Sequence, residues 1–487
     1  MKNLRSSIIL FFNIICILLT ANGYSQPITW QRTYQGPSII DSGYQICSAP
    51  GGDFYFVGYS STPNHVFVMK INRYGDEVWS KLDTSAFSHN FTSRCCTSTP
   101  DGGCIISGHG NIMYSIKLDS GGNFVWKKSY DNIQGGQIVC NKIIAISDGG
   151  YFGAGGFITS YYGENGWDMK LDSNGNFVWS SIFGDSRRVY TGAVEGINFG
   201  YVIAGLYQRT DTPIASIVQE SNPPNGFWND SNCNSPSVFV SIERSNSAYY
   251  VCGNYRETSN KYHAFLAKID MKGYAEFVQE YPAPFSEKAL DIKMLNPNRF
   301  VISILHDSAN GQIQCGKVII TDSNGVILQN KIFPARKYLS LNSILPLGND
   351  GIIFAGTYDY STYWPEHGTD FYAVRTDSLL NFPDLLPPIE IQPIGNYVPN
   401  TFKLYQNFPN PFNPSTKIKF DLPKDANVTI EIYDMLGKVV SLLAKNEFRK
   451  AGSYQIDWNA GSFASGVYVY RIQAGSFLQC KKMVLIK

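Results

Sequence analysis

The residues best suited to chemistry lie in short polar strings between apolar runs: YYGEN at 161–165, DSRR at 185–188, RTD at 209–211, YRE at 255–257, HD at 306–307 and YDYSTYWPEH at 358–367. Two carboxyl groups held within about 10 Å could act as acid and base on a glycosidic bond. Glu164, Asp185, Glu257, Asp307, Asp359 and Glu366 are the groups from which such a pair would be drawn. Tyrosine and tryptophan beside carboxylates also suit sugar binding without catalysis, with ring faces for stacking and hydroxyls for hydrogen bonds. The ligand-contact candidates are therefore Tyr161, Tyr162, Glu164, Arg187, Arg209, Arg256, His306, Tyr358, Tyr360, Tyr363 and Trp364. A long loop folding onto its own aromatics would explain 358–367 equally well.

No residue is given a catalytic role, because GxSxG, HExxH, a P-loop and GxGxxG between strand and helix are all missing. The one metal-like string, DSNGN at 172–176, lacks the distal glutamate of a calcium loop, and its siblings NRYGD and DMKGY read as hairpin turns. Neither metal nor cofactor is expected. With 16% charged residues and a formal net charge of +1, the chain has no nucleic-acid footprint. Residues 399–487 hold 12 Lys and Arg against 6 Asp and Glu, so a basic tail follows a mildly acidic body.

Residues 1–25 have the form of a signal peptide: Lys2 and Arg5, an apolar stretch from Ile8 to Leu19, and small residues Gly23 and Ser25 before Gln26. The stretch is too short to span a bilayer. Of ten cysteines, Cys16 lies in this leader, and the odd remainder cannot all pair. Cys47, Cys95, Cys104, Cys140 and Cys252 sit in apolar runs as small buried hydrophobes, while Cys95, Cys96 and Cys104 could supply one bridge across a hairpin.

What must position the polar strings is a repeat. Trp30, Trp79, Trp126, Trp179, Trp228 and Phe277 recur at spacings of 49, 47, 53, 49 and 49, mostly after a KLD-like strand and a glycine turn. An aromatic follows four residues later at Tyr34, Tyr130, Phe183, Tyr281 and Phe333, on the same sheet face. Each unit reads as four short antiparallel strands, with innermost strands near residues 44, 92, 138, 190, 237, 287 and 339. Four-stranded units of this length repeated about an axis predict a seven-bladed β-propeller over 26–382. The last unit lacks an outer strand and ITWQRTY at 28–34 is spare, so pairing the two would hide exposed edges. An open β-solenoid is the alternative. The polar strings then fall in connections at one end of the ring.

Prolines at 383, 387, 388 and 393 mark a stiff linker over 383–398, and beyond it the repeat stops. Short alternating strands over 399–487 suggest a small β-sandwich. The strings YQNFPNPFNPSTKIKFDLP, IYDMLGKVV, AGSYQIDWN, ASGVYVYRI and KKMVLIK, in that order, resemble the C-terminal sorting domain of type IX secretion substrates of Bacteroidetes-type bacteria. The resemblance implies an all-β, immunoglobulin-like module recognised by an outer-membrane export machine, with the cargo released or attached to surface polysaccharide. The residues that carry it are Asn407, Pro409, Asn410, Pro411, Phe412, Asn413, Pro414, Gly437, Gly452 and Gly466. Gly437 and Gly452 suit positive-φ turns. The expected protein is a secreted or cell-surface binding propeller whose ligand is a glycan or a protein. A glycan-active hydrolase or lyase and a structural envelope protein are the alternatives.

Overall fold

The computed structural model describes residues 28–486 except 35–40, 62–63, 83–91, 110–111, 131–136, 160–162, 184–186, 197–199, 209–213, 221–236, 258–260, 309–312, 336, 349–350, 360–368, 383–391, 394–397, 436, 438 and 461–462. The signal peptide expected at 1–25 lies outside them.

Runs rich in Val, Ile, Phe and Tyr between glycine turns fold as strands, and each repeat becomes one antiparallel sheet. In the first sheet Asp41–Ala49, Asp53–Ser61, Asn64–Ile71 and Glu77–Leu82 pair in chain order. Four-stranded groups of the same order start at Thr92, Gln137, Ser237 and Glu287, and a three-stranded sheet starts at Arg187. The segment expected to hold the Trp228 strand lies outside the described residues. The final group pairs Tyr338–Pro346, Ile352–Asp359 and Thr369–Thr376, and its outer edge is taken by Trp30–Tyr34 from the other end of the chain. That pairing runs antiparallel from Trp30 opposite Arg375 to Tyr34 opposite Phe371. A single parallel step, Gln314 opposite Tyr338, joins the last two groups into one eight-stranded sheet. The first strand of each group, expected to be the innermost, touches the first strands of the neighbouring groups, and Tyr338–Pro346 touches Asp41–Ala49.

Sheets are locked together by one device used repeatedly. The tryptophan of one sheet lies on the glycine turn of the next: a Cβ would come within 2.6 Å of the Trp30 ring at Gly75 and 2.5 Å of the Trp126 ring at Gly175. Both glycines also have positive φ, so no other residue fits without strain. The aromatic four residues on plugs the same turn. Tyr34, Tyr130 and Tyr281 donate their hydroxyls to the carbonyls of Gly75, Gly175 and Gly325 at 2.8, 2.8 and 2.9 Å. This is why tryptophan, aromatic and glycine turn recur together. The metal-like string at 172–176 is one of these hairpin turns, with Asp172 Oδ1 accepting the amides of Asn174 and Asn176 at 2.8 and 2.7 Å.

The cysteines of the second sheet need a correction. Register sets Cys95 opposite Ser107, Cys96 opposite Ile106 and Cys104 opposite Ser98, so no two of them face across the hairpin. All three are free and buried.

Beyond the repeat, two four-stranded sheets share one core that includes Phe412, Ile418, Ile430, Ile456, Trp458 and Ile472. Gln392–Pro393 pairs with Gln455 and Tyr454, so part of the expected linker is an edge strand of the tail. Proline is acceptable at such an edge because it needs no outward donor. Gly452 corrects a second expectation: it starts the strand Gly452–Asn459 without positive φ, whereas Gly437 has φ +78°.

Candidate functional site

The described candidate ligand residues lie on strands, near their ends. Tyr161, Tyr162, Arg209, Tyr360, Tyr363 and Trp364 lie outside the described residues, as do Asp185 and Glu366. Glu164 and Arg187 are on strands, opposite Ile158 and Gln208, but their side chains are outside the described set. Arg256 is exposed at the end of its strand, opposite Tyr262. Tyr358 corrects the expectation of an exposed aromatic. It is 6% exposed and stacks on Tyr372 with ring centres 5.9 Å apart, because it still belongs to the strand Ile352–Asp359 and points into the core.

His306 meets a carboxylate. Its Nδ1 lies 2.8 Å from Glu287, which also takes Lys317 at 2.7 and 2.9 Å. Glu287 is 1% exposed, and a carboxylate that deep needs such partners. One sheet earlier His263 Nδ1 accepts the Ala283 amide at 3.2 Å, which places its proton on Nε2, 3.4 Å from Glu257. Asp307 accepts Gln314 Nε2 at 2.8 Å, and Asp359 pairs with Lys337 at 3.3 Å. Asp307, Gln314, Tyr338 and Asp359 are successive partners across four strands. Three strand spacings put the backbones of the two aspartates roughly 14 Å apart, wide for an acid and base pair.

A second polar constellation was missed from the sequence. Every innermost strand carries a β-bulge near its middle. Bulges turn side chains out of the pleat, and here polar groups at or beside them bond to the next sheet. The Cys96 amide donates to Gln45 Oε1 at 3.0 Å, Arg94 to Asn141 Oδ1 at 3.3 Å, Asn141 to the Tyr190 carbonyl at 2.8 Å and Thr191 to the Phe239 carbonyl at 2.7 Å. Ser241 donates to Asp291 at 2.7 Å, the Ile344 amide to Asp291 at 3.0 Å, and Asn342 to the Gly43 carbonyl at 2.7 Å. Every neighbouring pair of innermost strands is joined in this way. The signal was a polar step at the same phase of otherwise apolar strands, as in YQIC, CNKI, LDIK and LNSI.

Inside this circuit Lys293 pairs with Glu243 and lies 3.8 Å from Asp291. Burial would lower the Lys293 pKa, but Asp291 and Glu243 outweigh it and the ammonium is held. Lys142, three sheets away in sequence, has its pKa lowered by burial and by Lys293, against the pull of Asp291 and Glu243. These charges act on one another. The carboxylates there are engaged by Lys293, Ser241 and the backbone amides of Ile292 and Ile344, an arrangement suited to holding structure or binding polar groups rather than moving protons.

In the tail the proline-rich strand start is anchored through four residues, Asn407, Asn410, Phe412 and Pro414. Asn407, 2% exposed, donates to Thr416 Oγ1 at 2.9 Å and to the Pro409 carbonyl at 3.1 Å, while its amide donates to the Tyr470 hydroxyl at 2.8 Å. Asn410 Oδ1 accepts the Val484 amide at 2.9 Å. Phe412 is buried against Trp458 at 5.5 Å and exchanges backbone bonds with Val484 and Ile486. The Pro414 carbonyl accepts the Ala460 amide at 2.8 Å, and Pro409, Pro411 and Asn413 are exposed. Gly466 opens the strand Gly466–Ala474 in open space. Residues 406–487 match the family model of the secretion system C-terminal sorting domain.

This tail is a sorting domain. It marks the chain for export to the cell surface or secretion and implies contact with the type IX secretion machinery. No curated protein matches the chain. Among solved structures, a puromycin hydrolase S511A mutant is similar at 10% identity and TM-score 0.47, over 80% of this chain and 61% of that one. A catalytically inactive virginiamycin B lyase from Staphylococcus aureus is similar at 12% identity and TM-score 0.41, over 71% and 99%. The WD40 domain of SCAP from fission yeast is similar at 10% identity and TM-score 0.38, over 72% and 99%.

Proposed function

We propose that residues 26–382 form a closed seven-bladed β-propeller that binds a glycan or protein ligand outside the cell, delivered by a cleavable immunoglobulin-like sorting domain. The reading rests on one observation above all: the outer strand of the last sheet comes from Trp30–Tyr34. A ring completed by its own first strand leaves no unfinished edge between its ends, and its loops become a rigidly held binding face. The contact of the final innermost strand with the first, and the unbroken inner hydrogen-bond circuit, support the same reading.

The ligand face is the end that carries Arg256 and His306, together with Tyr161, Tyr162, Glu164, Arg187, Arg209, Tyr360, Tyr363 and Trp364. Binding is favoured over hydrolysis because Glu257, Asp307 and Asp359 are each engaged by a cation, a histidine or an amide. After export the body is released or attached to surface polysaccharide. A glycan and polysaccharide array probed with the full chain, with reducing-end release followed in parallel, tests this. Retention without release is expected, and release of reducing ends would turn the reading to a hydrolase. Retention that survives Tyr360→Ala, Tyr363→Ala and Trp364→Ala together would remove the assigned face.

A further inference from the structure

Two pairs of cysteines one repeat apart meet between sheets. Cys96 Sγ lies 3.5 Å from Cys47 Sγ, and Cys95 Sγ lies 3.7 Å from Cys140 Sγ. Cys95 and Cys96 are successive on one strand, so their side chains leave on opposite faces. The packing agrees: Cys96 shares a core with Cys47 of the first sheet, and Cys95 shares one with Cys140 of the third. We propose that Cys47–Cys96 and Cys95–Cys140 become disulfides as the chain is exported, tying the second sheet covalently to the sheets on either side.

The geometry asks for little. A disulfide has its sulfurs about 2.05 Å apart, so each side chain must move by less than about 1 Å. The compartment supplies the chemistry, and in this respect the inference rests on the export reading: a chain routed through the periplasm meets disulfide-bearing oxidants. In each pair one thiolate attacks the oxidant's disulfide, releasing one reduced thiol and forming a mixed disulfide. The second thiolate then displaces the remaining thiol. The protein loses two hydrogens per bond, and the oxidant becomes two thiols.

Timing follows from burial. In the folded body the Cys96 and Cys140 thiols are held protonated, each by the hydrogen bond to its partner sulfur and by burial. Oxidation therefore belongs to folding, before the sheets close, and once formed the bonds are shielded from reductants. The remaining described cysteines differ. Cys104 packs beside the first pair without a partner across its hairpin, Cys252 is buried in another core, Cys315 is half-buried on its strand, and Cys480 is exposed in the tail.

The test is peptide mapping of the protein collected outside the cell after expression of the full chain, denatured in an alkylating agent without reductant. Linked peptides joining Cys47 to Cys96 and Cys95 to Cys140 are expected, with a mass four hydrogens below the fully reduced chain. Alkylation of all four residues, or a bridge within the 92–109 hairpin, would overturn the proposal even though export had succeeded. The same mapping on full chain refolded in a glutathione redox buffer separates the two readings, since it needs no export. Cys140→Ser should free Cys95 for alkylation and leave Cys47 linked to Cys96, whereas a new bridge from Cys95 to Cys96 or Cys104 would contradict the pairing. Reduction should lower the thermal midpoint of the body by about 5–10 °C.

Discussion

The repeating body and the sorting domain are both β-rich, yet they are held together by opposite means. In the body the cohesive unit is a contact between neighbours: a ring on a glycine turn and a hydroxyl on that turn's carbonyl, used again one repeat later. In the tail each anchor occurs once, as with Asn407 on Thr416 and Phe412 on Trp458 around a single core. A repeated contact makes stability a sum of similar local terms, whereas a single core makes it depend on a few side chains. The first strand, Trp30–Tyr34, extends that scheme by pairing at the outer edge of the last sheet, on Thr369–Thr376.

The sharpest way to break this contrast is to remove one large ring from each region. Trp30→Ala should cost the body about 3–5 kcal/mol, and Phe412→Ala should cost the tail the same. Denaturant unfolding followed by hydrogen exchange in each region reads the two separately. Transmission of either loss to the other region would show that they fold as one unit. A smaller loss sharpens the description of the body: Tyr130→Phe and Tyr281→Phe should each cost about 0.5–1.5 kcal/mol. Lying in separate sheets, the two should add in the double variant, and strong non-additivity would argue against locally independent contacts.

Smaller again is the difference between two tail glycines. Gly437→Ala forces a side chain into a left-handed backbone at a cost of about 1–2 kcal/mol, while Gly452→Ala should cost nothing measurable. Equal losses at both would contradict the turn assignment. The slightest effect is that of pH on the turn at 99–103. Burial opposes ionisation of Asp101, but bonds from Lys117, Thr99 and the Gly103 amide outweigh it and bring the pKa to about 2. Because the folded value lies below the unfolded one, the contribution is present above about pH 4 and is lost as the pH falls toward 2. The stability difference between wild type and Asp101→Asn should therefore be small and shrink over that interval, since the carboxylate is more than half exposed. A difference that grows on acidification would reverse the assignment.

Much of the body could be read from sequence because its spacing is periodic. The Trp30, Trp79 and Trp126 anchors and their glycine turns show the repeat, and the strand starts at Asp41, Thr92, Gln137, Ser237, Glu287 and Tyr338 fall where that period puts them. The inner circuit was harder to see. It depends on bulges such as those at Arg94 and Asn141, which shift register without any glycine or proline to mark them. The cysteine pairs escaped for a related reason: partners one repeat apart are adjacent in space, but a hairpin is the nearer choice in sequence. Tyr358 was misjudged because a strand end and a loop start share the same composition, and only the pairing with Thr369–Thr376 shows which face is buried. In the tail the motif was legible as a resemblance, while the roles of Asn407 and Asn410 needed the fold.

Locating the chain in a type IX-competent cell is the most direct measurement. Full-length protein and a version lacking residues 399–487 should be quantified in the periplasm, on the surface and in the medium, with thermal unfolding of the body checked in both. Surface or medium for the first and periplasm for the second, with the body equally stable, is the expected result. Normal appearance of the shortened protein outside the cell would contradict delivery by the tail.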